Sequence, residues 1–404
     1  MKNRCINFCF VGIAIVMFVF SNPVLAQLPV KKKKDLFENF KNKQEESFKN
    51  YKENADKKFR EYEQAEQEAF NKFKEDVEKL WGAGDFKEST KKSWVEYNDD
   101  NTSRTDVDFE KEEAKIEILV SPEEAKDEEL VKEKVKEVVE HLVVTQGNTK
   151  DYNTPLEEKR PLSEKPVLEG QILNSSGQKV CVANVEDYAK EIVDIKPVQS
   201  TVIKGEDNKE RVKVTLTLKL APNSIKVRAD KVLTEVDKYA AKYTLPKELV
   251  FAIIHTESYF NPKAKSHVPA YGLMQLVPKY AGRDAYKYVY DEDKFLSANY
   301  LYVPKQNIEL GTAYFHILLT RSFRKITDVK SRLYCAIAAY NTGAGNVSRA
   351  FIGTTKLYKA IPEINKLNPE QVYNHLIQKL PYDETKDYLK KVSGRMDTYK
   401  EWMK

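Results

Sequence analysis

The sequence predicts an α+β protein in which a long helix and a small α+β domain precede an all-α domain. Three patterns in the 404 residues support this division. Aromatic residues repeat every eleven positions near the start, apolar and polar residues alternate at two places in the middle, and helical periodicity continues from about residue 223 to the end. A chain of this length exceeds what one hydrophobic core usually supports.

Residues 1–26 have the pattern of a secretory signal peptide. Basic residues at Lys2 and Arg4 precede an apolar run over residues 8–20, and small residues lead up to Ala26. The apolar run is too short for a comfortable membrane span. We therefore expect cleavage after Ala26 and a mature protein outside the cytoplasm.

Charge and cysteine content exclude two classes of protein. The formal net charge is +5, and the 67 basic residues are interleaved with 62 acidic ones, so we expect no nucleic-acid partner. Cys5 and Cys9 leave with the signal peptide. We expect Cys181 and Cys335 to be buried thiols in different domains, which does not suggest a disulfide framework.

Residues 27–84 are predicted to form one long polar helix with a narrow aromatic stripe. An eleven-residue repeat keeps aromatic side chains on one face of a nearly straight helix. We expect the stripe to pack on the protein itself or on a partner helix, and the alternatives are dimerisation or contact with a membrane or polymer surface. Its members are Phe37, Phe40, Phe48, Tyr51, Phe59, Tyr62, Phe70 and Phe73.

Residues 85–222 are predicted to be a small α+β accessory domain. Apolar residues alternate over residues 114–120 and 212–220, which predicts two half-buried strands. Between them, Ser121 and Glu124 form a capping box that is expected to start a helix. The residues expected on its inward face are Leu130, Val131, Val135, Val138, Val139 and Leu142. We find no catalytic group of residues in this domain.

The chemistry is expected in residues 223–404, on a helix that spans residues 245–261. Glu257 lies at the polar end of an apolar stripe on that helix. Burial would disfavour its ionised form and raise its pKa toward the range that suits a general acid near neutrality. The stripe consists of Leu249, Val250, Ile253 and Ile254. Most glutamates in a last helical turn are solvated, so the helix alone does not establish catalysis.

Four short signals follow one another from Glu257 onward. Ser258 comes directly after it, and three motifs lie farther on: Gly272-Leu273-Met274-Gln275, Ala339-Tyr340-Asn341 and Glu384-Thr385-Lys386-Asp387-Tyr388. This ordered set resembles the catalytic domain of the lytic transglycosylases of goose-type lysozyme fold. The resemblance implies that Glu257 is catalytic. It also implies a set of substrate-binding residues, which are Ser258, Met274, Gln275, Tyr340, Asn341 and Tyr388.

The resemblance further implies cleavage of peptidoglycan glycan strands without a cofactor. In that reaction one glutamate protonates the oxygen that leaves N-acetylmuramic acid, and then draws the proton from the 6-hydroxyl as a 1,6-anhydro ring closes. Glycosidases usually employ a second carboxylate. We identify none, because the nearest candidates lie in a polar loop that is typical of solvated surface. These are Asp284, Asp291, Glu292 and Asp293.

Nearly the whole mature chain is also similar to membrane-bound members of this family, which are lipoproteins. No cysteine stands at the expected cleavage site, where Gln27 follows Ala26. We therefore expect a periplasmic enzyme that is soluble or peripherally attached. The N-terminal helix is the segment expected to associate with a cell-wall or outer-membrane surface.

Three alternatives were weighed against this prediction. A zinc site of His255, Glu257 and His267 is disfavoured, because residues two apart on a helix point about 200 degrees apart. A lysozyme-type hydrolase of the same fold would use the same Glu257, so the sequence separates it poorly. A non-catalytic cell-wall scaffold is disfavoured, because Glu257 is present together with Gln275 and Tyr388.

Overall fold

The computed structural model describes residues 29–150, 152 and 157–403. The predicted signal peptide lies outside these residues. The first element is a long helix, α1 (Val30–Trp81), which ends at Gly82 in a positive-φ conformation. Along the described chain, no helix combines the length and the apolar character needed to cross a bilayer.

The C-terminal half of α1 packs against the rest of the chain through its aromatic stripe. Phe59 stacks on Phe295, with ring centroids 4.4 Å apart. Phe73 contacts Phe86 and Tyr97 edge-on, at 5.8 and 5.5 Å. Intramolecular covering of the stripe is thus confirmed for this half. Nothing is described for the side chains of three members nearer the start, Phe37, Phe48 and Tyr51.

A five-stranded antiparallel sheet follows α1. Its strands are β1 (Ser93–Tyr97), β2 (Ser103–Asp108), β3 (Glu113–Val120), β4 (Gln199–Lys204) and β5 (Glu210–Lys219), in the spatial order β1-β2-β3-β5-β4. The two strands predicted from alternation, β3 and β5, pair in the centre. Their register places Ile116 opposite Leu216, so the apolar residues of both strands enter one core.

Two helices join this sheet core, α2 (Glu128–Val144) and α3 (Val185–Ile195). The predicted capping box forms between Ser121 and Glu124, but it starts only a short 3₁₀ turn (Glu124–Lys126). Helix α2 begins one residue after Asp127, whose side chain accepts from the backbone N–H of Leu130. The helix keeps the predicted phase, since Val131, Val135, Val139 and Leu142 are buried. Leu130 lies in the first turn and is exposed, so the prediction that it faces inward is wrong.

The described cysteines are both free thiols, as expected. Cys335 is buried, and burial raises the pKa of its thiol. Cys181 is exposed, so the prediction that it is buried is wrong. Cys181 lies in the turn before α3, where its backbone N–H donates to Oδ1 of Asn184. Its side chain faces outward from this turn.

Residues 224–402 are mainly helical. In order come α4 (Ser224–Lys231), α5 (Leu233–Lys242), α6 (Lys247–Ser258), α7 (Arg283–Tyr290), α8 (Ala298–Tyr302), α9 (Pro304–Ile317), α10 (Val329–Thr342), α11 (Ala344–Ile352), α12 (Leu357–Ile364), α13 (Pro369–Lys379) and α14 (Asp383–Trp402). They share one apolar core, and α6 and α10 both pack against α14.

Arg228 of α4 links this helical core to the sheet. Its buried guanidinium donates to the carbonyl of Tyr259 at 3.0 Å and to the carbonyl of Phe109 at 3.1 Å, and one nitrogen reaches Gln171 at 2.9 Å. Burial lowers the pKa of Arg228 to about 10. The end of α6 is therefore tied to residues beside the sheet by charged hydrogen bonds.

Candidate active site

Glu257 lies in the last turn of α6. Seven other residues of this helix are buried with it, so the apolar stripe predicted from the sequence does carry the acid into a core. The helix ends because Tyr259 and Phe260 both adopt positive φ, at 53° and 63°. As a result, Glu257 is held where the helix stops, and only 6% of its surface is exposed.

Burial raises the pKa of Glu257 from 4.5 to about 7. Three neighbours modify this effect: the positive charge of Lys91 and the hydroxyl of Tyr388 lower the pKa, and the negative charge of Glu384 raises it. Desolvation has the largest effect on the pKa, because the free-energy cost of removing the carboxylate from water exceeds the stabilisation that Lys91 and Tyr388 give it. Near neutrality the carboxyl group can therefore both donate and accept a proton.

Lys91 reaches the acid from the segment between α1 and β1. Its Nζ lies 4.0 Å from Oε2 of Glu257 and 3.6 Å from Oε1 of Glu384. No local sequence signal marks Lys91, because it stands in a polar segment beside another lysine. Packing between segments distant in the sequence brings it to Glu257.

Two tyrosines from different helices border Glu257. Tyr340 of α10 donates a hydrogen bond of 2.9 Å to the carbonyl of Met274. Tyr388 of α14 is buried and interacts with Glu257, but its hydroxyl makes no hydrogen bond of standard geometry with any described residue. Burial, and next the negative charge of Glu257, raise the pKa of both phenols well above 10, so both stay protonated.

The 272–275 loop lies against the end of α6. Gly272 has φ of +76°, and a Cβ there would collide with the carbonyl oxygen of Leu301, so no other residue fits. Asn307 of α9 organises the loop with its buried side chain: Oδ1 accepts from the N–H of Met274 at 2.7 Å, and Nδ2 donates to the carbonyl of Tyr271 at 2.8 Å. The sequence analysis missed Asn307.

The side chains of this loop differ in what they can reach. Met274 has no exposed surface, and its sulfur fills the space left by Gly311. Gln275 is buried at a positive φ of 49° and donates through Nε2 to the carbonyls of Ala264 and Gly272, both at 3.0 Å. Its Oε1 makes no hydrogen bond with the described residues. Gln275 therefore keeps one buried acceptor unused.

Ser258 and Asn341 complete the set of predicted site residues. Ser258 has no exposed surface, and its hydroxyl lies within hydrogen-bond distance, as donor, of the carbonyl oxygens of Ile254 and Leu273. Asn341 is half-buried and accepts a hydrogen bond of 2.7 Å from the hydroxyl of Thr385. In this conformation Ser258, like Met274, is out of reach of a substrate.

The acids considered as a second carboxylate are exposed or paired with another side chain. Asp284, Asp291 and Glu292 are exposed, and Asp293 pairs with Arg283. The carboxylate that influences Glu257 is instead Glu384, which is exposed at the start of α14. Its interaction partner Lys91 holds it on the solvent side of the site.

Metal-binding groups and cavities were the other features that could mark a functional site in the described residues. They contain no group of three His, Cys, Asp or Glu side chains that could hold a metal ion. His255 bonds the hydroxyl of Tyr399 at 3.0 Å, and burial lowers its pKa to about 3. Two cavities of about 400 and 650 Å³ lie beside α1, and Glu257 does not line either one.

Two known families match consecutive parts of this chain. Residues 43–231 match the family described as "Membrane-bound lytic murein transglycosylase C, N-terminal domain". Residues 235–361 match the family described as "Transglycosylase SLT domain". The second match includes Glu257, Ser258, the 272–275 loop, Tyr340 and Asn341, and it ends before Tyr388.

Curated relatives match over most of their length. A membrane-bound lytic murein transglycosylase C of Actinobacillus succinogenes is 30% identical over 81% of this chain and 87% of its own. Proteins of the same name from Actinobacillus pleuropneumoniae and Cronobacter sakazakii are 31% identical, over 85% and 87% of their own lengths. Among solved structures, the 70-kDa soluble lytic transglycosylase of Escherichia coli is 25% identical over 42% of this chain and 24% of its own, with a TM-score of 0.32, which is too low to compare the two folds.

Proposed function

Because this chain belongs to the membrane-bound lytic murein transglycosylase C family and is a peptidoglycan lytic transglycosylase, we propose that Glu257 alone performs its acid and base chemistry. The bond cleaved is the β-1,4 bond between N-acetylmuramic acid and N-acetylglucosamine. The observation that carries this proposal is the buried carboxyl group at the end of α6, with its pKa raised to about 7.

In the first half of the reaction, Glu257 is the acid. Its protonated carboxyl group gives the proton to the bridging oxygen, and the bond from that oxygen to C1 of N-acetylmuramic acid breaks. The oxygen of the 2-acetamido group supplies electrons to C1 from the opposite face. A carboxyl group with a pKa of about 7 keeps a large protonated fraction near neutral pH, which is the condition for general acid catalysis there.

In the second half, the same carboxylate is the base. It takes the proton of the 6-hydroxyl while O6 forms a bond to C1 and the acetamido oxygen leaves. The products are a 1,6-anhydro-muramic acid end and a free 4-hydroxyl on N-acetylglucosamine, no water is consumed, and Glu257 is protonated again. No second carboxylate and no cofactor is needed, because the substrate supplies both nucleophiles.

The remaining site residues divide into two groups in this proposal. Gln275, Tyr340, Asn341 and Tyr388 contact the sugar or the carboxyl group, since Gln275 has an unused acceptor and the Tyr388 hydroxyl interacts with Glu257. Ser258 and Met274 have no exposed surface. We therefore propose that these two position the catalytic helix and the 272–275 loop and do not touch the substrate.

We further propose that residues 223–404 form a catalytic domain of goose-type lysozyme fold and residues 85–222 an accessory domain. The enzyme works in the periplasm, where its substrate is, after loss of residues 1–26. The curated relatives are named membrane-bound. Here the first half of α1, whose described side chains before residue 50 are exposed, would be the part that associates with the cell wall or outer membrane.

Digestion of purified sacculi tests the reaction type. Released muropeptides should carry 1,6-anhydro ends, and their masses should be lower by one water than those produced by a lysozyme. Reducing ends as the main product would instead show a hydrolase that uses the same Glu257. Absence of any release by folded protein would support a non-catalytic wall-binding role.

A further inference from the structure

A buried side chain just past the catalytic helix holds the turn that carries Lys91. Asn261, three residues past the end of α6, donates through Nδ2 to the carbonyl of Thr90 at 3.1 Å and to the carbonyl of Ser93 at 3.0 Å. Asn261 has no exposed surface. These two hydrogen bonds bracket Lys91 and fix the backbone on both sides of it.

The turn of residues 90–93 is also held by hydrogen bonds of its own. The hydroxyl of Thr90 accepts from the backbone N–H groups of Lys92 and Ser93, at 3.2 and 3.1 Å. The two adjacent lysines consequently point to different places. Lys92 pairs with Glu110 at 2.6 Å. Lys91 points to Glu257, at 4.0 Å.

We propose that Lys91 is a positioning residue that favours the ionised state of Glu257 in the base half of the reaction. This inference rests on the proposed function. Lys91 comes from the segment between α1 and β1, and Asn261 is one of the contacts that hold its turn beside the end of α6.

The need for such a residue follows from the burial of the acid. A carboxyl group buried among apolar side chains gives up its proton reluctantly, and after the first transfer it must remain ionised until the 6-hydroxyl arrives. A cation about 4 Å away stabilises that ionised state. Lys91 is one-third exposed and approaches Glu257 from the solvent side.

Other charged or titratable groups face Glu257 from each element packed around it. Glu384 and Tyr388 come from α14, and Tyr340 comes from α10. Among these groups only Glu384 opposes Lys91, and Lys91 has the larger effect on the pKa of Glu257. The phenols remain neutral because burial raises their pKa well above 10.

The test is the pH dependence of kcat on soluble glycan, measured with full-length variants. Lys91→Met removes the positive charge, so the pKa of Glu257 rises and the alkaline limb of the profile should move up by about one pH unit. Lys91→Arg keeps the charge and should restore the parent limb. Lys92→Met, the matched control, removes the neighbouring charge that faces Glu110 and should leave the limb in place.

Glu384→Gln should shift the alkaline limb in the direction opposite to Lys91→Met. It removes the negative charge that raises the pKa of Glu257, so the alkaline limb should move to lower pH. A Lys91→Met limb within about 0.2 pH unit of the parent, or an equal shift in Lys92→Met, would overturn the inference. If Glu257→Gln is inactive while Lys91→Met leaves the limb unmoved, only this inference fails. If Glu257→Gln is active, the proposed function fails with it.

Discussion

The hydroxyl of Ser258 donates a hydrogen bond of 2.8 Å to the carbonyl of Leu273. This contact joins the residue after the catalytic acid to the loop that borders it. Both partners are buried, so no water can replace either of them. The relationship explains how a small polar residue directly after Glu257 can serve the reaction without reaching the sugar.

We predict that Ser258→Ala lowers the free energy of unfolding by about 1–2 kcal/mol, because the carbonyl of Leu273 loses its buried donor. Turnover should fall as well, since the 272–275 loop is no longer fixed relative to Glu257. Urea unfolding and steady-state kinetics on soluble glycan measure the two effects. A variant with parental stability and kcat would contradict a positioning role.

Tyr388→Phe should separate activity from stability. The hydroxyl is buried without a standard hydrogen bond to the described residues, so its removal should leave the free energy of unfolding unchanged or raise it. Because the hydroxyl favours the ionised form of Glu257, we expect kcat to fall about tenfold. Tyr382→Phe, at an exposed position, is the control. Equal activity of the two variants would argue against a role for Tyr388.

Glu257 should make folding stability depend on pH. Its folded pKa of about 7 exceeds the ordinary value of 4.5, so the folded state holds the proton more tightly between these two values. The stability associated with this group is fully present below pH 4.5 and is lost as pH rises to about 7. Glu257→Gln, which cannot ionise, should match the parent at pH 4 and be more stable by up to about 3 kcal/mol at pH 8.

Chemical denaturation of both proteins across this pH range measures the difference. A gap that stays constant from acid to alkaline pH would mean that Glu257 has an ordinary pKa in the folded protein.

The aromatic stripe of α1 should stabilise the protein only where it is covered. Phe59→Ala is expected to lower the free energy of unfolding by about 1–2 kcal/mol, because it removes the stacked contact with Phe295. Phe40→Ala removes a ring of the same stripe that is 43% exposed, and should change little. Thermal unfolding of the two variants is the measurement. Equal losses would point to a partner that covers the whole stripe.

The sequence was informative where the signal is local. The periodicity of the helix that ends in Glu257 and the alternation in β3 and β5 each predict an element that forms. The local chemistry of Ser121 and Glu124 was also right, but it could not predict that the helix would start later, at Asp127. Leu130, in the first turn after Asp127, is exposed, although the later apolar residues of this helix face the core as predicted.

The sequence was uninformative where the site depends on distant contacts. Lys91 is one of many lysines in polar segments, and its approach to Glu257 depends on Asn261 pinning its turn. Ser258 and Met274 were predicted as substrate contacts because motif membership does not say which side of a loop faces a groove. The packing of Met274 against Gly311, far along the chain, decides that orientation.

Digestion of purified sacculi by Glu257→Gln tests the central claim most directly. The amide keeps the shape of the side chain and cannot donate a proton to the leaving oxygen, so release of 1,6-anhydro-muropeptides should fall at least about 100-fold. The variant must first be shown to unfold as cooperatively as the parent. Release within threefold of the parent, about 0.7 kcal/mol in barrier height, would contradict the assignment of Glu257 as acid and base.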